Sequence, residues 1–181
     1  MKTMLNTVLT FWFEELNKEQ WFVKDSELDQ QIRDVFGSLH QMAARCELYP
    51  WRQEPRGRLA EIIVLDQFSR NIYRDSAEAF ACDPLALGLA QEAINLGLDQ
   101  ELTPTEQSFL YLPFMHSESL AIHDVAMRLY DQEGLEDNLQ FEIKHRDIIE
   151  RFGRYPHRNA LLGRTSTEEE LAFLQQPGSG F

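Results

Sequence analysis

The stretch RLAEIIVLDQFSRNIYR, residues 58–74, is apolar nearly all round the helix that its spacing predicts. Its apolar residues are Leu59, Ile62, Ile63, Val64, Leu65, Phe68 and Ile72. Such a helix normally lies at the centre of a domain, because no side of it favours water. The stretch also carries Asp66, Arg70 and Arg74 at steps of four, which places three charged side chains on one face. Buried charges need partners or a function, so this face is the first candidate for a site.

Helical periodicity continues before this stretch. We predict an amphipathic helix over residues 4–16 and a second helix that begins with Ser26 as its N-cap. The second helix is expected to bury one stripe, made of Leu28, Ile32, Val35, Leu39, Met42 and Cys46. His40 falls outside that stripe, so we expect it to face solvent.

The chain after residue 80 carries clear signals for helix starts and stops. The starts are Asp83 as an N-cap before Pro84, Thr103 before Pro104, Ser117, Asn138, and the capping box Thr167 with Glu170. The stops are Gly97, Gly134 and Gly153. Pro113 is expected to cut the helix that begins at Thr103. Because no segment shows the alternation of a half-buried strand, the pattern predicts an all-α fold of about eight helices with antiparallel neighbours.

Composition narrows the class of protein. Of the 181 residues, 43% are hydrophobic and 26% charged, so we predict one domain over residues 1–176 with a flexible tail over residues 177–181. The net charge of −13 argues against nucleic acids and anionic membrane surfaces as partners. No apolar run approaches the roughly 20 residues of a membrane span, and the N-terminus lacks signal-peptide features. With two isolated cysteines, these observations predict a cytoplasmic location.

One basic segment interrupts this acidic chain: HRDIIERFGRYPHRNALLGR, residues 145–164. Residues 141–164 hold six Lys or Arg against three carboxylates. Guanidinium groups bind carboxylate and phosphate bidentately, so an Arg/His-lined anion site is predicted. The candidate ligand-binding residues are Asp66, Arg70, Asn71, Arg74, His116, Glu118, His145, Arg146, Arg154, His157, Arg158 and Asn159. The alternative is an internal ion-pair network in which Asp66, Glu118, Asp147 and Glu150 neutralise the arginines.

The histidines leave further interpretations open. His145 shares one helical stripe with Phe141, Ile148 and Phe152. It is therefore either a satisfied core histidine or a general base. His116 and His123 could share a face, but no His-Glu-x-x-His motif and no third ligand accompany them, so no metal site is predicted. No cofactor is predicted either, since the kinase, phosphate-loop and nucleophile-elbow motifs are incomplete or absent.

Four blocks of the sequence resemble a known bacterial family. They are LDQFSRNIYR (Leu65–Arg74), AFACDPLAL (Ala79–Leu87), YLPFMHSES (Tyr111–Ser119) and HRDIIERFGRYPHRNALLGRTSTEEE (His145–Glu170). In this order and spacing they are similar to the bacterial domain-of-unknown-function 924 family, over about residues 8–170. The resemblance implies a tetratricopeptide-like (TPR-like) right-handed superhelix of about eight antiparallel helices. It implies no activity, cofactor or catalytic residue.

Two functional hypotheses follow. The first is binding of an anionic small molecule or acidic peptide in an Arg/His-lined pocket of a TPR-like surface. The second is a hydrolase-type enzyme that pairs His145 or His116 with Asp66 or Glu118 for acid–base chemistry, while arginines stabilise an oxyanion. Binding of nucleic acid is the least favoured function because of the net negative charge. The sequence carries no signal for the oligomeric state.

Overall fold

Helices follow one another along residues 2–180, the part of the chain that the computed structural model describes apart from the Lys2 side chain. They are α1 (Lys2–Thr10, continued by Phe11–Glu15), α2 (Ser26–Ala44), α3 (Pro55–Ile63, continued by Val64–Phe68 and Ser69–Ile72), α4 (Asp83–Asn95), α5 (Pro104–Met115), α6 (Leu120–Tyr130), α7 (Glu136–Phe152) and α8 (Glu168–Leu174). Short 3₁₀ turns lie at Tyr49–Gln53, Ala77–Phe80, Leu98–Glu101 and Pro156–Arg158. These residues contain no strand, which confirms the predicted all-α class.

Helix α3 is the central element that the sequence predicts. Every residue from 57 to 69 is buried, and the helix contacts α1, α2, α4 and α5. Its middle, Val64–Phe68, is a π-helical turn. Such a turn changes the direction in which successive side chains leave the helix, and it is frequent at functional sites. Asp66 lies in this turn and is buried.

The helices after α3 pack in chain order. Helix α4 contacts α5, α5 contacts α6, and α6 contacts α7. The main apolar core lies between these helices and α1–α3. A smaller apolar cluster lies beside α7 and α8 and contains Ile148, Ile149, Tyr155, Phe152 and Phe173. None of the described helices combines the length and apolarity that a bilayer crossing requires.

The helix ends follow the predicted capping chemistry with two corrections. Thr103 and Thr167 each form a complete capping box, and Gly153 ends α7 with a positive φ of 69°. However, α2 is capped by Asp25 rather than Ser26, because the Asp25 carboxylate accepts from two backbone N–H groups of the first turn. Asp83, predicted as the N-cap of α4, is instead its first residue after the N-cap Cys82, and its carboxylate binds Arg70.

Four further predictions about the helices are wrong. Helix α5 continues past Pro113 to Met115, because surrounding contacts outweigh the single hydrogen bond that proline removes. Val35 is 52% exposed, since only a narrow side of α2 packs on α3. His40, expected in solvent, is buried, and its Nε2 lies 2.7 Å from Ser69 Oγ on α3. Phe141, expected to share the inward stripe of His145, is 54% exposed.

Two glycines offer a matched test of the close approach between α3 and the turn that precedes it. A Cβ on Gly57 would lie 2.0 Å from the Trp51 carbonyl oxygen, whereas a Cβ on Gly37 in α2 would meet nothing within 4 Å. We expect Gly57→Ala to lower the free energy of unfolding by roughly 1–3 kcal/mol through overpacking. Gly37→Ala should raise it by up to about 1 kcal/mol through helix propensity. Urea unfolding followed by circular dichroism measures both, and equal effects would contradict the predicted close approach.

Candidate functional site

Three consecutive carbonyl groups at the C-terminal end of α5 are held by side chains from elsewhere in the chain. The bonds run from Tyr155 Oη to Met115 O (2.6 Å), from Arg158 Nη2 to His116 O (3.0 Å) and from His123 Nε2 to Ser117 O (2.8 Å). Carbonyls at a helix C-terminus have no intrahelical donor, so they need such partners. The backbone around His116 is therefore fixed from three directions.

Glu118 extends this arrangement by one residue. Its carboxylate accepts from the Tyr155 backbone N–H at 2.7 Å and from both terminal nitrogens of Arg164, at 2.7 and 2.9 Å. Burial opposes ionisation of Glu118, but the bond from Arg164 and the bond from Tyr155 outweigh it and lower the carboxyl pKa. Glu118 thus fastens the segment after α7 to the end of α5, and its oxygens are occupied.

His116 and Asp66 form a buried pair between α5 and α3. His116 Nδ1 donates to Asp66 Oδ1 at 2.7 Å, and Asp66 also accepts from Gln67 at 2.6 Å and from Arg70 at 3.3 Å. Burial opposes ionisation of Asp66, but the neighbouring His116 and Arg70 outweigh it and hold the carboxyl pKa well below its usual value. Burial and the charge of Arg70 lower the pKa of His116. At neutral pH the pair is an aspartate and a neutral imidazole.

Two guanidinium groups share one carboxylate beside this pair. Arg70 binds Asp83 bidentately, with Nη1–Oδ1 at 2.8 Å and Nη2–Oδ2 at 3.0 Å. Arg158 Nη1 lies 3.7 Å from the same Asp83 Oδ2, which is beyond hydrogen-bonding distance. We call Asp66, Arg70, Asp83, His116 and Arg158 the Arg70–Arg158 cluster. These residues come from α3, α4, the end of α5 and the turn Pro156–Arg158.

Arg158 is the least satisfied member of this cluster. Its guanidinium carbon lies 4.5 Å from the ring centre of Phe80 and 4.6 Å from that of Tyr155, so the group is stacked on two aromatic rings. Its side chain is 8% exposed, and its Nε is buried with no hydrogen-bond partner among the described residues. Burial, followed by repulsion from Arg70, lowers the pKa of Arg158. A buried guanidinium with an unsatisfied nitrogen is stabilised when an anion binds to it.

Three members of the cluster are partly exposed at the surface. The side chains of Arg70, Asp83 and His116 are 20%, 16% and 15% exposed. Two grooves, of about 530 and 440 Å³, lie elsewhere: one between Phe13, Trp21 and Glu106, the other along α1. Neither groove contains a cluster of paired titratable groups. The Arg70–Arg158 cluster therefore lies outside both of these grooves.

Two predicted site residues belong to a separate ion pair between α3 and α2. Asn71 donates to Asp29 Oδ1 at 2.8 Å, and Arg74 binds both oxygens of the same carboxylate. Burial raises the pKa of Asp29, but the bonds from Arg74 and Asn71 outweigh it and give a net decrease. These two residues hold α2 on the end of α3 and do not face the Arg70–Arg158 cluster.

Three further predicted residues pair with carboxylates at the C-terminal end of the structure. Arg154 binds both oxygens of Glu170, at 2.7 and 2.8 Å, and Asn159 donates to the same Glu170 at 3.3 Å. Arg146 lies on the surface of α7 between Asp124 and Glu150. The interpretation as an internal ion-pair network describes these arginines, although the partners are mostly not the carboxylates that the sequence suggested.

Tyr155, which is not among the predicted site residues, lies among the remaining histidines. Its ring centre is 5.9 Å from that of His145, 6.3 Å from that of His123 and 5.6 Å from that of His157. His145 is buried, and its Nδ1 donates to the Phe141 carbonyl at 2.7 Å. Asp83 and Phe80 were also missed. Both lie in the block AFACDPLAL, where Asp83 was interpreted as a helix cap and Phe80 had no predicted role.

Comparisons with known proteins agree with the fold. A family model described as "Bacterial protein of unknown function (DUF924)" matches residues 8–178. A solved structure of a protein of unknown function from Agrobacterium tumefaciens is 40% identical, with a TM-score of 0.91 over 96% of this chain and 98% of that chain. No functionally curated protein matches the chain. The similarity therefore carries the fold and the family but no activity.

The buried imidazole of His145 predicts a pH-dependent stability. Burial, the largest cause, lowers its pKa to about 3, whereas an unfolded histidine has a pKa of about 6.5. Between these values the unfolded state binds a proton that the native state does not. The free energy of unfolding therefore falls as pH drops below about 6.5, by up to about 1.4 kcal/mol per pH unit for this group.

We expect His145→Gln to flatten this dependence. Between pH 6.5 and 5 the variant should lose about 2 kcal/mol less stability than the wild type, because glutamine takes up no proton. Urea titrations at several pH values measure the slope, and Lys144→Gln on the same helix serves as a control with an unchanged slope. An identical slope in His145→Gln would contradict the assignment.

Proposed function

The chain belongs to the DUF924 family, and we propose that this member binds a small anion at the Arg70–Arg158 cluster, as a carboxylate or phosphate group of a small molecule or acidic peptide. Arg158 carries the proposal. It is buried and stacked on two aromatic rings, and the Asp83 carboxylate, 3.7 Å away, is already bound bidentately by Arg70. Glu118 also acts on Arg158 electrostatically, but its oxygens are bonded to Arg164 and to the Tyr155 backbone. Burying a guanidinium without a hydrogen-bonded carboxylate is costly, so its retention favours a ligand.

Three other half-buried arginines provide a contrast, whereas the buried Arg58 pairs with a single oxygen of Glu92 and also has an Nε without a hydrogen-bond partner among the described residues. Arg74, Arg154 and Arg164 each bind both oxygens of one carboxylate of their own. Among the described residues, Arg70 and Arg158 share the Asp83 carboxylate, and Arg70 has an additional, longer contact with Asp66. A ligand anion would supply the second carboxylate-like group. The planar fork of Arg70 on Asp83 is the geometry with which such an anion would be recognised.

The low exposure of the cluster limits the part of a ligand that can contact it. Because the three outermost side chains are each at most 20% exposed, a head group of a few atoms fits the cluster better than an extended chain. A larger ligand would leave its remainder in solvent. This favours the end of a small molecule or peptide over a bound strand of nucleic acid.

One specific observation favours an enzyme as a second candidate function. His116 donates from Nδ1 to the buried Asp66, and its Nε2 has no hydrogen-bond partner among the residues described. This is the arrangement in which a carboxylate fixes the tautomer of a general base. His145 and Glu118, the other residues considered for acid–base chemistry, are engaged with the Phe141 carbonyl and with Arg164. The same cluster therefore accommodates hydrolase-type chemistry.

We also propose a fold type, a domain division and a cellular compartment for this protein. The chain-order packing of α4 to α7 supports a TPR-like stacking of antiparallel helix pairs. Residues 1–176 are proposed to form one domain and residues 177–181 a tail. The two free cysteines support a reducing compartment such as the cytoplasm.

Anion binding is tested by substitutions at Arg158. We expect succinate and inorganic phosphate to raise the Tm of the wild type at constant ionic strength, with sodium chloride as the reference. At ten times the dissociation constant the stabilisation is about 1.4 kcal/mol. Arg158→Gln should abolish it. Arg146→Gln removes the same charge from a surface ion pair and should retain it.

Arg158→Lys provides a second variant in case the glutamine variant does not fold. It keeps the positive charge but loses the planar fork, so the affinity should fall about tenfold. The proposal fails if neither anion stabilises the wild type. It also fails if Arg158→Gln or Arg158→Lys responds to the anions as the wild type does.

A further inference from the structure

Resting on the proposed anion site, we infer that His116 is a general base that hydrolyses carboxylic esters whose acid part carries a second carboxylate. The inference joins two observations on neighbouring residues. His116 presents an unoccupied Nε2, and Arg158 presents an incompletely paired guanidinium that also donates to the His116 carbonyl at 3.0 Å. Because Arg158 is bonded to the backbone of His116, we place an anion held by Arg158 in the neighbourhood of the imidazole.

Asp66 sets the tautomer of His116. As an ionised carboxylate it only accepts, so the proton on His116 must be at Nδ1, 2.7 Å away. The lone pair is then at Nε2, the nitrogen that the structure leaves without a partner among residues 2–180. The carbonyl bonds from Tyr155, Arg158 and His123 hold the backbone on which this imidazole is mounted. Asp66 is thus a positioning residue, and His116 is the group that contacts the reacting water.

The charges around His116 keep it in the basic form. Burial is the largest cause that lowers its pKa, and Arg70 adds to it, while Asp66 and Asp83 act in the opposite direction. On the other sides lie His145, His157 and Arg158, none of which adds a negative charge. The imidazole is therefore neutral at neutral pH. When it takes a proton, the aspartate at 2.7 Å stabilises the imidazolium.

The cluster favours a carboxylic ester with a second carboxylate. Asp83 is a carboxylate of this chain that already lies flat against Arg70, with one oxygen near Arg158. The two guanidiniums thus accept planar carboxylates. Guanidinium groups also stabilise the oxyanion that forms when water adds to a carbonyl carbon. A neutral imidazole next to them suits activation of that water.

The proposed reaction is balanced in atoms and charge. His116 Nε2 takes one proton from water while the water oxygen bonds to the ester carbonyl carbon, and the carbonyl oxygen becomes an oxyanion. The carbon–oxygen double bond then re-forms and the bond to the alcohol oxygen breaks. Imidazolium Nε2–H returns its proton to the leaving alkoxide. One ester and one water give one alcohol and one carboxylic acid, which ionises to a dicarboxylate.

Two chromogenic esters test the inference. We expect the wild type to release 4-nitrophenolate from mono(4-nitrophenyl) succinate with a kcat/KM about tenfold or more above that for the neutral 4-nitrophenyl butyrate, the factor that one guanidinium–carboxylate contact supplies. For the half-ester, kcat/KM should rise with pH through an apparent pKa below 6.5 and then level off, because the base must be unprotonated. Arg146→Gln is the control with unchanged rates.

Substitutions separate the chemistry from the binding. His116→Gln should lower kcat at least about a hundredfold and remove the pH-dependent limb, while succinate still raises the Tm. If this variant does not fold, His116→Ala with added imidazole should recover part of the rate, and added Tris should not. Asp66→Asn should lower the rate and shift the pH profile, because an amide no longer fixes the proton of His116 at Nδ1.

The outcomes distinguish this inference from the proposed function. If succinate stabilises the wild type but the half-ester is hydrolysed no faster than in His116→Gln, the inference is overturned and the binding proposal stands. If neither succinate nor phosphate binds, both the inference and the proposed function are overturned. Equal rates for the charged and the neutral ester would overturn the assigned substrate class, even where His116 proves essential.

Discussion

The burial of one carboxylate, Asp66, is the constraint on which the rest of this structure depends. A buried ionised carboxylate is stable only with donors around it. Asp66 finds them in Gln67, Arg70 and His116, from its own helix and from the end of α5. These bonds fix the distance between the central helix and the four-residue segment that follows α5. The π-helical turn of α3 directs the carboxylate to this side.

The second organising feature is the unusual end of α5. Carbonyls that a helix normally leaves to water are here bonded by Tyr155, Arg158 and His123. Two of these donors come from the turn after α7, so the C-terminal part of the chain is attached through the backbone of α5. The polar bonds that hold α5 and this turn together are therefore the bonds that also shape the Arg70–Arg158 cluster. A change that loosens one will loosen the other.

The arginines of this protein divide into two kinds. One kind is structural, because the arginine has a carboxylate whose two oxygens match the two nitrogens of the guanidinium, as Arg164 has Glu118 and Arg154 has Glu170. Arg158 is different, since aromatic rings and a backbone carbonyl replace that carboxylate. The distinction depends on which oxygen lies within about 3 Å. The ion-pair interpretation of the basic segment therefore applies to Arg154 and Arg164, and the anion-site interpretation applies to Arg158.

The sequence by itself determined the all-α class, the position of the central helix, the capping boxes and the segments that hold the cluster. These are local properties: a period of 3.6 residues, a cap three residues from its partner, a glycine at a helix end. Tertiary structure alone decided that His40 is buried and that Arg74 pairs with Asp29. It also decided that Asp83 binds Arg70 instead of capping its helix. The physical reason is that a guanidinium takes whichever carboxylate the packing brings within reach. Arg158 and His116 are 42 residues apart in the chain, and no local pattern records that they meet.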